Sequence, residues 1–324
     1  MNLENGDSIV VTSRSFGSGR TDPSDALRDA GYHVVRADHR HKPDALGGPL
    51  ATAIAWIAGT GPIGPAQLEL APRLQIIARY GVGMDGIDQQ ELARRGIVLT
   101  NTPGANTEAV ADHTLGLMLA LIRGTLLGDR SVREGTPPPP PGRELGEATV
   151  ALVGMGAIGR AVLERLSAFG AHVVAHDPYV DPASLPHVEF LDLDQLAAVA
   201  DIVSLHRPHA DAPIIDEPFL HRLPPGAVLV NTARASLVDE VAVAAALATG
   251  RLAGAALDVH SSERSETGPL LSAPNVILTP HVSGHTLEAI DRMGRTATEE
   301  VLRVLRGESP RHAVSLPAPE AQRQ

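Results

Sequence analysis

The sequence predicts an α/β protein with two doubly wound domains, each built on a parallel sheet, and three observations indicate this class. Short apolar, β-branched segments alternate with helix-like segments along residues 8–100 and again from residue 149 onward, a pattern typical of parallel sheets covered by helices on both faces. A G-x-G-x-x-G turn follows one predicted strand, at residues 154–159. The 324 residues are enough for two domains of ordinary size.

The expected elements follow from apolar periodicity, from β-branched runs and from Gly and Pro punctuation. The predicted strands are Ile9–Thr12, the segment around Val34 and Val35, Ala51–Ala58, Leu74–Ala78, Ile97–Thr100, Thr149–Val153, His172–Ala175, Asp201–His206, Ala227–Asn231, Leu252–Val259 and Val276–Thr279. The predicted helices are Pro23–Ala30, Thr107–Arg123, the segment from Ile158 to Gly170, Pro218–Arg222, Asp239–Thr249 and Leu287–Leu305. Gly128–Gly142, with five consecutive prolines, is expected to be an extended surface connector, and the tail from Pro310 to be poorly ordered.

The segment TVALVGMGAIGRAVLERLSAFGAHVVAHDP has the pattern of a dinucleotide-binding unit. It comprises a buried strand, a glycine turn, a helix and a second strand. Gly154 allows the tight turn, Gly156 lets the backbone approach a pyrophosphate, and Gly159 lets helix and strand pack closely. The helix N-terminus then offers unpaired N–H groups to that pyrophosphate.

The acid at the end of the second strand indicates which dinucleotide binds. Asp177 lies 18 residues after Gly159, where a carboxylate can accept hydrogen bonds from the adenosine ribose hydroxyls. The same carboxylate would repel the 2′-phosphate of NADP, and Pro178, Tyr179 and Val180 follow it rather than arginine or lysine. We therefore expect NAD rather than NADP.

Composition restricts the function further. The net charge of −11 argues against nucleic acid or an anionic membrane as the main partner, although a small anionic substrate remains compatible with it. The absence of cysteine excludes disulfides, thiolate catalysis and cysteine-based zinc sites. No histidine–carboxylate cluster has metal-ligand spacing outside the motifs given below, so we expect no metal. Without a signal-peptide pattern or a long apolar run, a soluble, cytoplasmic protein is expected.

Five motifs in order resemble the D-isomer-specific 2-hydroxyacid dehydrogenase family over nearly the whole chain. They are the segment Arg79–Arg123, the cofactor loop VGMGAIGRAV, the arginine motif NTARASLVDE, the acidic motif LDVHSSE and the histidine motif LTPHVSGHT. The resemblance implies two Rossmann-like domains, the first flavodoxin-like, with the active site in the cleft between them. It implies a substrate-binding domain at 1–101 and 288–324, an NAD-binding domain at 102–287, and a homodimer through the NAD-binding domain.

The resemblance also implies residue roles. Arg234 would bind the substrate carboxylate and polarise its carbonyl, His281 would exchange the proton, and Glu263 would hold the imidazole and favour its protonated form. Reduction is then expected to weaken, and oxidation to improve, as pH rises. The implied cofactor contacts are Gly154, Gly156, Ala157, Ile158, Gly159, Asp177, His206, Arg207, Pro208, Thr232, Ala233, Asp258, His281 and Gly284. The implied substrate contacts are Arg79, Val82, Gly83, Asn101, Arg234 and His281, and Arg79 either reaches a distal anionic group or pairs on the surface.

Some positions depart from the family pattern. Ala235 stands where glycine is usual after the arginine, a small change if the residue need not adopt positive φ. His260 and Arg264 flank Glu263 where an aromatic residue and a proline are usual, and Pro208-His209-Ala210 replaces Pro-Leu-Thr. These substitutions affect the surroundings of the expected acid and cofactor.

Two alternatives to a D-2-hydroxyacid dehydrogenase stay open at this point. One is oxidation of formate, phosphite or a phosphonate on the same scaffold. The presence of Glu263 argues against formate as the substrate. The other is an NAD(H)-sensing binding protein such as a corepressor, which can keep the same Arg, Glu and His. Turnover distinguishes the sensor from the enzyme, and a phosphorylated substrate remains open.

Overall fold

The computed structural model describes residues 7–261 and 267–318. The chain divides into two compact units: one comprises Met1–Asn106 and His285–Gln324, and the other Thr107–Gly284. The functional division into substrate-binding and NAD-binding domains at 101/102 and 287/288 remains a prediction from the sequence.

The first unit is built on a parallel sheet. Its elements in chain order are β1 (Ser8–Val11), α1 (Ser24–Asp29), β2 (His33–Arg36), α2 (Pro43–Ala51), β3 (Ala53–Ala58), α3 (Pro65–Leu68), β4 (Ile76–Arg79), α4 (Gln89–Arg95) and β5 (Val98–Thr100). The strand order β2-β1-β3-β4-β5 is that of a flavodoxin-like sheet. Its central strand β3, AIAWIA, is buried along its whole length, because helices cover both faces of such a sheet.

The second unit is built on a seven-stranded parallel sheet. Its α-helices and strands are α5 (Thr107–Ile122), α6 (Thr125–Glu134), β6 (Thr149–Val153), α7 (Ala157–Ala168), β7 (His172–His176), β8 (Glu189–Phe190), α8 (Leu193–Val199), β9 (Ile202–Leu205), α9 (Glu217–Arg222), β10 (Ala227–Asn231), α10 (Glu240–Ala248), β11 (Leu252–Leu257) and β12 (Val276–Leu278). The order β12-β11-β10-β9-β6-β7-β8 is the Rossmann arrangement with one added strand. The predicted fold class is confirmed.

The core of the second unit lies on both faces of its sheet. Alternate residues of β6 point to opposite faces: Val150 and Leu152 join one apolar cluster, and Ala151 and Val153 join the other. The topological switch point lies between β6 and β9, where strand order reverses. Ligands of doubly wound sheets bind beyond the carboxyl ends of the strands at this point.

The prediction of an extended connector over Gly128–Gly142 is wrong for the first half of that range. Helix α6 runs to Glu134 and ends at Gly135, which has φ 65°. The prolines begin only at Pro137, so nothing interrupts the backbone hydrogen bonds before that point. Arg133 also pairs with Asp129 one turn earlier, with 2.8 Å between Nε and Oδ2, a spacing that stabilises helices.

The poorly ordered tail predicted from Pro310 is also wrong for the part that the structure describes. Helix α11 (Leu287–Leu305) returns the chain to the first unit. Residue 313 then forms an antiparallel bridge with Thr100 of the edge strand β5. Composition did not reveal this pairing, because edge-strand backbone groups bind a segment whatever its side chains.

Among residues 7–261 and 267–318, no single helix is long and apolar enough to cross a membrane. Helices α5 and α6 meet the criteria of length and composition only when they are taken together, and the chain bends by 56° between them.

Candidate functional site

The glycine turn after β6 has the geometry that a pyrophosphate needs. Gly154 has φ +105°, and a Cβ there would lie 2.5 Å from the carbonyl oxygen of His206. A Cβ on Gly159 would lie 2.1 Å from the Gly154 carbonyl oxygen, so helix α7 packs against the turn too closely for a side chain. Gly156 is exposed, with open space where its Cβ would point. The turn therefore leaves its accessible side free for a ligand at the start of α7, where Ala157 and Ile158 lie.

Asp177 lies at the carboxyl end of β7, beside the glycine turn. Its Oδ2 accepts the Met155 N–H at 2.8 Å, and its Oδ1 accepts the Tyr179 N–H at 2.9 Å. A carboxylate has lone pairs for about four hydrogen bonds, so capacity remains for ribose hydroxyls. Asp177 is thereby fixed in place beside the turn before any ligand binds.

His206 completes the candidate cofactor site at the switch point. Its Nε2 lies 2.9 Å from Ser204 Oγ, whereas its buried Nδ1 has no partner among the described residues. Burial lowers the pKa of His206 to about 4, so the ring is neutral near pH 7. Arg207 follows half-buried and Pro208 follows exposed. An orphaned polar atom beside a glycine cradle fits a bound dinucleotide, which can supply the missing partner.

The arginine motif forms a tight turn at the end of β10. Asn231 accepts the Ala233 N–H at 3.0 Å through Oδ1 and donates from Nδ2 to the Arg234 carbonyl at 2.8 Å. Thr232 Oγ1 lies 2.9 Å from Thr114 Oγ1 of α5, and both residues are buried. Arg234 is half-buried and donates from Nη1 to the Ala233 carbonyl at 2.6 Å. The turn therefore fixes the backbone on both sides of the predicted catalytic arginine.

Ala235, which follows Arg234, adopts a backbone conformation without strain. Ala235 begins a short 3₁₀ turn, Ala235–Leu237, and is not at positive φ. A side chain at this position is therefore tolerated, and the departure from Arg-Gly leaves the turn intact.

Asp258 holds the loop that carries His281. Its carboxylate is completely buried and accepts hydrogen bonds from Thr279 Oγ1 at 2.6 Å, Val282 N at 2.8 Å and Ser283 N at 2.8 Å. Burial alone would raise the pKa of Asp258, but these hydrogen bonds outweigh it and the pKa is lowered. Asp258 therefore stays ionised and arranges the loop. Its predicted contact with the nicotinamide carboxamide remains a prediction.

His281 itself is exposed and has φ 55°, in the left-handed region that few residues other than glycine adopt. Gly284 follows half-buried in the turn before α11. Glu263 and Arg264 lie outside the described residues. Ser261, two residues before Glu263, donates from its N and Oγ to the buried carboxylate of Glu240 at 2.6 and 2.5 Å.

Sequence reasoning missed one histidine at this site. His113 on α5 has its Nε2 3.4 Å from Thr279 Oγ1 and 3.8 Å from Asp258 Oδ1. No feature of the α5 sequence indicates that His113 belongs to this site, because its contacts with Thr279 and Asp258 join residues more than 140 positions apart. It adds a third element, α5, to those that support the His281 loop.

All these motifs lie at one edge of one sheet. The glycine turn, Asp177, His206, the arginine motif, Asp258 and the histidine motif follow the carboxyl ends of β6, β7, β9, β10, β11 and β12 respectively. Parallel pairing brings these ends together. Within residues 7–261 and 267–318, no group of three or more His, Asp or Glu side chains is placed to hold a metal ion.

The predicted substrate loop lies in the first unit, directly after β4. Arg79 is buried, and its guanidinium donates to the carbonyls of Gly83 at 2.8 Å, Ala58 at 3.1 Å and Tyr80 at 2.8 Å. The guanidinium of Arg79 therefore lies against the backbone of its own unit, and the interpretation of Arg79 as a surface ion pair stays a prediction. Its contact with a distal substrate group remains a prediction, and what the structure shows is that Arg79 shapes the loop.

The rest of that loop is held by the residues after β5. Thr102 N donates to the Gly81 carbonyl, and Gly81 N donates to Thr102 Oγ1, both at 3.1 Å. Asn101 Nδ2 donates to the Val82 carbonyl at 3.1 Å. The N–H groups of Val82 and Gly83 have no acceptor within the described part of the chain. Successive backbone N–H groups bind an anion where the backbone directs both to the same side, so the predicted contact of these two groups with the substrate carboxylate stays a prediction.

The sequence is similar to a family model and to several characterised proteins. Residues 115–283 match the NAD binding domain of the D-isomer specific 2-hydroxyacid dehydrogenases. The chain is 42% identical over 255 residues to a D-3-phosphoglycerate dehydrogenase of Mycobacterium bovis, covering 77% of this chain and 48% of that protein. It is 40% identical over 263 residues to a glyoxylate reductase of Thermofilum pendens, covering 78% of each. The chain thus spans about half the length of the phosphoglycerate dehydrogenases that it matches.

Solved structures show the same similarity. The crystal structure of the TT0316 protein from Thermus thermophilus matches with a TM-score of 0.87 and 36% identity, covering 95% of this chain and 100% of that one. A D-2-hydroxyisocaproate dehydrogenase matches with a TM-score of 0.81 and 25% identity, covering 95% and 99%.

Proposed function

The chain belongs to the D-isomer-specific 2-hydroxyacid dehydrogenase family, and from that premise we propose that it is an oxidoreductase catalysing reversible hydride transfer between NAD(H) and a D-2-hydroxy acid/2-oxo acid pair. The observation that carries the proposal is the convergence of the glycine turn, Asp177, Arg234 and the His281 loop at the carboxyl edge of one sheet. NAD(H), when bound, supplies or accepts the hydride.

The roles of the chain's own residues follow from their chemistry. The guanidinium of Arg234 is a planar fork that pairs with a carboxylate and polarises a carbonyl oxygen. The imidazole of His281 donates a proton to the forming alkoxide in reduction and takes it back in oxidation. Glu263 is proposed to orient that imidazole. Val82 and Gly83 offer their N–H groups to the substrate carboxylate.

The geometry also supports NAD over NADP. The Met155 and Tyr179 N–H groups fix Asp177 beside the glycine turn. With the adenosine ribose bound there, its negative charge could not easily move away from a 2′-phosphate. A homodimer through the NAD-binding domain and a cytoplasmic location remain predictions from the sequence.

The test is NADH oxidation with a panel of 2-oxo acids, including glyoxylate, hydroxypyruvate and 3-phosphohydroxypyruvate, at about pH 6–7, near the usual histidine pKa. Wild type and Arg234→Ala are compared, with Arg222→Ala, an exposed arginine on α9, as the matched control. We expect turnover of at least one acid, lost in Arg234→Ala and kept in Arg222→Ala. Tight NADH binding without turnover of any acid would instead favour the sensor alternative.

A further inference from the structure

We propose that the C-terminal segment 311–314 is a positioning element for the predicted substrate loop, and that Glu300 is the residue that anchors it. The proposal rests on the proposed function, because it concerns the loop whose N–H groups are to bind the substrate carboxylate. All the residues involved lie in the first unit.

The anchor is a buried carboxylate on the last helix. Glu300 is 1% exposed, on the face of α11 turned away from solvent. It accepts the Arg311 N–H at 2.9 Å and the His312 N–H at 3.3 Å, both through Oε2. Hydrogen bonds to a charged acceptor are among the stronger ones in proteins. Glu300 therefore fixes the backbone where the chain leaves α11 and turns back toward the sheet.

From this point the segment lies along the edge of the sheet. Val314 N donates to the Leu99 carbonyl of β5 at 2.8 Å, and Asn101 N donates to the His312 carbonyl at 3.4 Å. Val314 and Leu316 also pack against the apolar cluster under β5. The pairing extends the ordered edge of β5 by one residue, to Asn101.

Asn101 connects this edge to the substrate loop. Its backbone N–H is held by His312, and its side-chain Nδ2 donates to the Val82 carbonyl at 3.1 Å. The Val82 peptide carbonyl and the Gly83 N–H belong to the same peptide unit. Fixing the carbonyl of that planar unit therefore fixes the direction of the Gly83 N–H.

The consequence is a chain of hydrogen bonds from the Glu300 carboxylate through the His312 backbone and Asn101 to the Val82 carbonyl. Loosening its first member is expected to leave the NAD site in the second unit unchanged and to let the Gly83 N–H lose its alignment. Glu300 is thus a positioning residue, and its effect is expected in substrate affinity rather than in cofactor affinity.

The experiment compares Glu300→Gln with Glu299→Gln. The neighbouring Glu299 is half-exposed, and its Oε2 lies 3.9 Å from Arg311 Nη1, so the control loses the same charge beside the same segment. We expect Glu300→Gln to raise KM for the 2-oxo acid about tenfold, equal to about 1.4 kcal/mol. We expect kcat and the Kd for NADH to stay near wild type, and Glu299→Gln to match wild type throughout.

A binding measurement and a second variant complete the experiment. Binding of oxamate, an unreactive analogue of a 2-oxo acid, to the NADH complex is measured by calorimetry, so the inference is tested even if no panel acid is turned over. Val314→Pro, which removes the N–H that Leu99 accepts, replaces Glu300→Gln if that variant does not fold. Unchanged KM and oxamate affinity in a folded variant, or an equal loss of NADH affinity, would overturn the inference.

Discussion

The main-chain carbonyl of Asp258 accepts the amide N–H of His281 at 3.0 Å, while the buried carboxylate of the same aspartate holds the next two residues of the loop. His281 has φ 55°, a conformation that costs about 1–2 kcal/mol for a residue with a Cβ. Asp258 supplies the compensating bonds, so the backbone conformation of the residue that carries the predicted catalytic imidazole is set by the protein itself.

Asp258→Asn is therefore expected to impair catalysis more than folding. An amide group presents an NH₂ where one oxygen accepted N–H or O–H donors, so at least one loop contact becomes repulsive. We expect kcat to fall about ten- to a hundredfold, from the roughly 1–3 kcal/mol of an unsatisfied buried group, with a smaller change in the NADH Kd. Thr279→Ser keeps the hydroxyl and serves as the control. Full kcat in a folded Asp258→Asn variant would contradict this role.

Cofactor choice is predicted to depend on Asp177 and on Tyr179, an exposed residue two positions after it. Tyr179 is 93% exposed, so an arginine there meets no steric obstacle. In Asp177→Ser combined with Tyr179→Arg, the repulsion of the 2′-phosphate is removed and a cation is added. We expect the NADPH/NADH ratio of kcat/KM to rise about a hundredfold, since charge-assisted hydrogen bonds contribute about 1.5–3 kcal/mol.

The control for cofactor choice is Tyr179→Arg alone, in which Asp177 is retained and the preference for NADH should largely persist. Steady-state kinetics with both dinucleotides measures the ratio. A wild-type enzyme that uses NADPH as well as NADH would refute the assignment of Asp177.

Local spacing explains which parts of the molecule the sequence could predict. The glycine turn and Asp177 belong to one strand–helix–strand unit, so their relation is readable within about 30 residues. The presence of a parallel sheet in each unit follows from the alternation of strands and helices and from the family resemblance. The helix α6 was missed because the prolines after it dominated the composition of the connector.

Other features depend on partners distant in sequence. Arg79 looked like a surface or substrate cation, yet its guanidinium binds three backbone carbonyls, two of which belong to its own loop. The positive φ of His281 reflects the geometry around Asp258, and no residue type at position 281 signals it. The ordered segment after Pro310 depends on the free edge of β5, which only the folded sheet presents.

A buried hydroxyl in the first unit is predicted to be important for stability. Thr12 Oγ1 accepts from Trp56 Nε1 at 3.0 Å and Gly59 N at 3.1 Å, and lies 2.7 Å from His41 Nε2. Thr12→Val leaves these groups without their partner, and we expect a loss of about 3 kcal/mol in the free energy of unfolding. Urea denaturation followed by the fluorescence of Trp56, the only tryptophan, measures this unit.

Two variants test the Thr12 prediction. Thr12→Ser keeps the hydroxyl and should retain most of the stability, and Thr136→Val, at an exposed position in the connector, should have little effect. Equal stability of Thr12→Val and Thr12→Ser would show that the hydroxyl network contributes nothing.

His206 is expected to make the second unit sensitive to acid. Burial lowers the pKa of the folded imidazole to about 4, against 6.5 ordinarily. Between these pH values the imidazole binds a proton in the unfolded chain but not in the folded chain. The contribution of the neutral ring to the free energy of unfolding is therefore complete above about pH 6.5 and is lost as pH falls toward 4. Between pH 7 and pH 5 we expect wild type to lose about 2 kcal/mol through this residue, at about 1.36 kcal/mol per pH unit. In urea denaturation followed by circular dichroism, His206→Gln should lack that part of the pH dependence, whereas His187→Gln, an exposed histidine, should keep it. The same slope in wild type and His206→Gln would rule out His206 as the source.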